Sequence, residues 1–180
     1  PVRKHNMQRI KVWDPLVRVF HWLLVLGFAA NATVVEDDSK LHTWIGYGVV
    51  ALVLIRILWG LVGTRYARFS SFPASLSQAK GQVSDIVTGN KRIHRGHTPL
   101  GALMIYNLLA SMLMIGLSGL MLTTLTFGNA DWVEGLHEVF VTWAEVSVVL
   151  HILAVIFESR RTKVNLPRAM VTGYKDIPAE

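Results

Sequence analysis

Four long apolar stretches decide what this chain can fold into. They run from Val17 to Val35, from Thr43 to Gly63, from Pro99 to about Leu125 and from about Val133 to Phe157. A bilayer core is crossed by about 20 helical residues at 1.5 Å each, and each stretch is long enough. Together they hold about half of the 180 residues, which leaves too little polar surface to coat them in a water-soluble bundle. Composition agrees, with 52% hydrophobic and 17% charged residues, against about 25% charged in an ordinary soluble domain. The expected fold is all-α: an integral membrane four-helix bundle, one membrane-embedded domain over residues 1–180. The first stretch is not expected to be a removable signal peptide, because Asn31 and the acidic run Glu36, Asp37 and Asp38 follow it in place of a small-residue cleavage site.

Charge predicts the orientation. Sixteen of the 18 Lys and Arg lie before the first span (from Arg3 to Arg18), between the second and third (from Arg65 to Arg95) or at the end of the fourth and beyond (from Arg160 to Lys175). Glu36, Asp37, Asp38, Asp131, Glu134 and Glu138 gather at the other side. By the positive-inside rule both termini and the long loop are cytoplasmic. The net charge of +6 is then a topology signal and a contact with anionic membrane lipid, and no nucleic acid is needed to explain it. Within the long loop, Ser75 to Thr88 carries Leu76, Ala79, Val83, Ile86 and Val87 at near-helical spacing, which predicts an amphipathic helix on the membrane surface.

Histidine is the residue type that carries chemistry. There is no cysteine, which excludes disulfides, iron–sulfur clusters, covalent haem attachment and thiol nucleophiles. Of the seven histidines, His21, His42, His97, His137 and His151 lie in the spans or at their ends, where an ionisable group is a functional candidate. The directions of the spans sort four of them by depth. His42 and His137 fall near the outer side and His21 near the inner side. His151 follows His137 by 14 residues, almost four turns or about 21 Å, on nearly the same face, which brings it to the depth of His21. Two imidazoles from different helices at each of two levels suit the axial positions of haem iron, and without cysteine such a haem is b-type. Zinc, which prefers four protein ligands, and a relay of single histidines moving protons are the alternatives.

The segments RVFHWLLVLGF, KLHTWIGYGVVALVLIRILWG, GHTPLGALMIYNLL and LHEVFVTWAEVSVVLHILAV resemble the bacterial cytochrome b561 family, which also takes in the cytochrome b subunit of nickel–iron hydrogenases. The resemblance covers about residues 10 to 175. It implies two haem b groups in a four-helix protein of the bacterial inner membrane, passing electrons with quinone or quinol as one partner. His21, His42, His137 and His151 match the family's haem-ligand positions, and His97 matches a family feature that is not a ligand. Arg56, 14 residues after His42, is expected to meet a propionate of the inner haem, with snorkelling to the cytoplasmic interface as the alternative. Glu145 stands where the family would carry an apolar residue. It is expected to face away from the haems, leaving a packing role or contact with a partner subunit, and with it an oligomer. His97 is expected to cap the third span or touch a propionate, and His5 and His94 to be solvated. The acidic outer mouth fits a basic periplasmic partner such as a c-type cytochrome, or another redox subunit. The alternative functions are a membrane anchor for a larger oxidoreductase such as a hydrogenase, and a haem-free transporter or assembly protein in which His and Glu relay protons.

Overall fold

The computed structural model describes residues 7–128 and 130–178; Arg3, Lys4 and His5 lie outside them. In chain order the elements are strand β1 (Met7–Lys11), helix α1 (Pro15–Thr33), α2 (Lys40–Val62), a 3-10 turn (Phe69–Ser71), α3 (Leu76–Val87), α4 (Pro99–Leu122), α5 (Asp131–Thr162), α6 (Leu166–Thr172) and strand β2 (Tyr174–Pro178). Helices α1, α2, α4 and α5 are long and apolar enough to cross a membrane. Each starts where the local chemistry allows. Asp14 Oδ1 accepts from Val17 N at 2.9 Å ahead of Pro15, Ser39 Oγ accepts from His42 N at 3.1 Å, and Thr98 Oγ1 accepts from Gly101 N at 3.1 Å ahead of Pro99. These side chains satisfy N–H groups that no helical carbonyl reaches. Helix α5 has no such cap, but Asp131 and Glu134 in its first turn and Arg160 and Arg161 in its last match its dipole. At 32 residues it is about 48 Å long and outruns a hydrocarbon core of about 30 Å.

Helix α4 packs on both α2 and α5, and α1 packs on α2. The buried stripe is narrow, as lipid-facing helices require: Phe20, Val53, Leu109, Met112 and Ala144 form its centre. A side-chain carbon at Gly116 would overlap Val50, so glycine permits the close approach of α2 and α4.

The basic end of the bundle differs from a purely helical expectation. β1 and β2 pair antiparallel, Lys11 opposite Tyr174 and Met7 opposite Pro178, which ties the two ends of the chain together. The amides of Val12 and Trp13 both donate to Gly173 O, at 2.9 and 3.1 Å. Gly173 ends α6 at φ +88°, a conformation glycine adopts without strain. Helix α3 forms where its spacing predicts, between α4 and the exterior. Leu76, Val83 and Val87 are exposed, while Ala79 and Gln82 are buried. Gln82 Oε1 accepts from Leu100 N at 2.8 Å and so binds the first turn of α4.

Candidate functional site

His42, in the first turn of α2, and His137, in the second turn of α5, meet near one end of the bundle. Their ring centres are 6.4 Å apart and their planes cross at 64°. Ser118, on α4 and almost wholly buried, fixes the second ring. Its hydroxyl lies 2.8 Å from Met114 O and 2.9 Å from His137 Nδ1. A hydroxyl has one proton. With that proton on the Met114 carbonyl, Ser118 Oγ accepts from His137 Nδ1–H, and the lone pair of the imidazole rests on Nε2. Gly119 flattens the wall beside the ring: a side-chain carbon there would stand 3.2 Å from His137 Cε1. His42 is also set by its surroundings. Its carbonyl accepts from Asn31 Nδ2 at 3.0 Å, joining α1 to α2, and its Nδ1 is buried without a hydrogen-bond partner, with Asp37 Oδ1 at 3.8 Å.

His21, on α1, and His151, on α5, are both half-buried. His21 sits edge-on to Trp22 at 5.1 Å, and its Nδ1 is buried without a partner. Helix α5 makes no packing with α1 or α2 comparable to its packing with α4. The His42 and His137 rings thus meet between α2 and α5.

These features fit haem. A metal–imidazole bond is about 2.0–2.1 Å and a ring nitrogen lies roughly 1.1 Å from its ring centre, so imidazoles on opposite sides of one metal have centres about 6.3 Å apart. The 6.4 Å between His42 and His137 matches that span. Among the described residues no group of three or more His, Asp or Glu converges on a point. A pair of donors suits a metal that brings four equatorial nitrogens of its own, and leaves a tetrahedral zinc two ligands short.

Towards the basic end, Arg56 is buried with its guanidinium 5.1 Å over the Phe69 ring, and its Nη1 has no partner. The side chain is packed inside the bundle rather than extended along its surface. Gly60, one turn further along α2, makes this stack possible, since a side-chain carbon there would overlap Phe69. His97 lies between Trp13 and Phe72, with ring centres at 4.5 and 4.2 Å. Burial, with Lys175 and Arg56 nearby, holds its pKa down to about 3, so it is neutral. Thr98, not His97, caps α4. His94 is not solvated as expected: its Nδ1 is buried without a partner, and with His97, Gln82 and Phe72 it lines a cavity of about 430 Å³. Lys175 went unnoticed in the sequence. Its Nζ donates to Gly96 O at 2.6 Å and to His94 O at 3.3 Å. Burial brings its pKa down to about 8 against the pull of Glu158. Glu145 is exposed on α5 and has no partner among the described residues.

No curated protein and no solved structure matches the chain significantly. Residues 12–173 match the family model described as prokaryotic cytochrome b561. That match takes in every long helix and His21, His42, His137 and His151. The chain belongs to the prokaryotic cytochrome b561 family, and it is a membrane b-type cytochrome of electron transfer.

Proposed function

We propose that the chain holds two b-type haems at two depths, His42 and His137 binding the outer one and His21 and His151 the inner one, and that it passes electrons between the quinone pool and a redox partner. The observation that carries this reading is the His42–His137 pair, with ring centres 6.4 Å apart between α2 and α5. Haem iron, when bound, supplies a one-electron carrier; the protein supplies ligands, orientation and dielectric. Ser118 keeps His137 in the tautomer that offers Nε2, and its bond to Nδ1 also orients the ring. Arg56, buried with an unused N–H, meets a propionate of the inner haem and offsets its charge.

The basic residues at the sheet, the α2–α4 loop and the end of α5 support a bacterial inner-membrane placement with both termini cytoplasmic. The electron path then crosses the membrane through one membrane-embedded domain. Quinone is the lipid-soluble partner. A periplasmic c-type cytochrome, or another redox subunit, is the partner at the acidic mouth.

An optical spectrum of the purified protein and a haem count test the reading. Reduced b-type bands and close to two haems per chain are expected. His42→Ala and His137→Ala should each remove the same haem, and His21→Ala and His151→Ala the other. If His42→Ala and His151→Ala removed one and the same haem, the pairing would be wrong. Well-folded protein without haem would leave the proton-relay reading.

A further inference from the structure

Glu145 is out of place. It lies eight residues after His137 and six before His151, so it sits at mid-membrane, about 12 Å below one level and 9 Å above the other. Ala144 and Ser147 on the same helix are buried, while Glu145 points outward and is exposed. A carboxyl facing lipid at that depth is costly by about 2.5–3.5 kcal/mol on insertion scales, and such groups find partners. Among the described residues there is none.

Its neighbours on the helix surface suggest what the partner is. Glu138, Thr142, Glu145, Val149, Ile152 and Ile156 follow one another at steps of four and three, and all are exposed. Steps of four and three make the seam of a left-handed helix pair. From Glu138 to Ile156 the seam rises about 27 Å, close to the full hydrocarbon thickness. Its outer half is polar and its inner half β-branched, a type that packs well along such a seam.

We infer that this face of α5 binds a second copy of the chain, as a symmetric dimer. Two copies inserted by the same charge rule have the same orientation, so their two-fold axis lies along the membrane normal. The two α5 helices then run parallel, and Glu145 meets Glu145 of the second copy at equal depth. A protonated carboxyl is both donor and acceptor, so the group is its own complement. A foreign helix would need a donor at this one depth, whereas a second copy brings it by symmetry. The dimer does not depend on how many haems the chain holds.

The chain has no cysteine, so single cysteines can be placed without background. In native membranes, Thr142→Cys, Val149→Cys and Ile152→Cys should oxidise to disulfide-linked dimers. Val139→Cys and Leu150→Cys, equally exposed but on another face, should not. In bilayers, energy transfer between labelled copies should show Glu145→Leu weakening the dimer by about tenfold, and Glu145→Gln, which keeps a donor and an acceptor, weakening it less. The absorption spectrum should be unchanged in both. Cross-linking at Val139 and Leu150 instead, or a dimer indifferent to Glu145→Leu, would overturn the proposal. A chain that stays single while bound to a different subunit would overturn it too. So would an altered haem spectrum in Glu145→Leu with the dimer intact, which would assign the carboxyl to the cofactor.

Discussion

Ser118 shows how a single hydroxyl can hold an imidazole. It bonds its own helix at Met114 and the His137 ring at once; with its one proton on Met114 O it accepts from Nδ1–H of that ring. Ser118→Ala removes the acceptor for Nδ1–H. Outer haem affinity should fall by about 10- to 100-fold, read as loss of one haem on dilution while the inner haem stays. Asp14 plays a structural part of the same kind. Its carboxylate caps α1 and accepts from Thr64 Oγ1 at 2.6 Å and Trp59 Nε1 at 3.1 Å on and after α2. Burial works against its charge, but the bonds from Thr64, Val17 and Trp59 outweigh it and hold the pKa below 3.8. A carboxyl depressed in the fold stabilises above its unfolded pKa and loses that contribution as pH falls through the folded one. Asp14→Ala should cost about 3 kcal/mol at neutral pH, and its deficit against wild type should shrink in thermal unfolding below about pH 4. The approach of His42 to His137 was legible because ionisable groups are scarce in apolar helices and depths follow from counting turns. Ser118 was not, because a hydroxyl in such a helix ordinarily bonds only its own preceding turn. Lys175 was not either: among the basic residues of the C-terminal segment, nothing local marks the one that turns inward.

At the scale of elements, the inner end of α2 is built around one aromatic ring. Phe69, from the turn that follows, fills the space left by Gly60 and underlies Arg56 one turn earlier. Gly60→Val should push Phe69 out and loosen the arginine. Arg56→Gln tests the charge itself. A nearby cation favours the reduced, more electron-rich state, so its loss should lower the inner haem potential by something on the order of tens of millivolts. Redox titration with the two haems resolved reads this directly; a shift in the outer haem alone would put the arginine elsewhere. The long helices and α3 were legible from apolar length and spacing, with ends moved by a few residues where caps such as Asp14, Ser39 and Thr98 sit. The strands were not. Met7–Lys11 and Tyr174–Pro178 are each five residues long and lie at opposite ends of the chain, and a pairing that distant leaves no periodic trace in either segment. For α3 the helix was legible but not its inner face, where a polar residue, Gln82, is buried because it caps α4.

Over the whole molecule, charge is divided between the two ends of the bundle. Glu36, Asp37, Asp38, Asp131, Glu134 and Glu138 lie at the end where His42 and His137 meet, with Lys40 the cation among them. Asp131 and Glu134 also serve the first turn of α5, so the residues least explained by helix chemistry are Glu36, Asp37 and Asp38 between α1 and α2. Such a field draws in a cationic electron carrier and raises its association rate more than its affinity. Exposed charges are screened beyond about 10 Å at 0.1 M salt. Electron exchange with a basic c-type cytochrome should therefore slow as salt rises. Replacing Glu36, Asp37 and Asp38 together by Gln and Asn should slow it further at low salt and flatten the salt dependence, with both haem spectra unchanged. Stopped-flow reduction of the carrier at several ionic strengths makes the measurement. A rate indifferent to salt and to the triple substitution would leave these acids a topological role alone, and would point to a permanently bound partner or to quinone at both ends of the path.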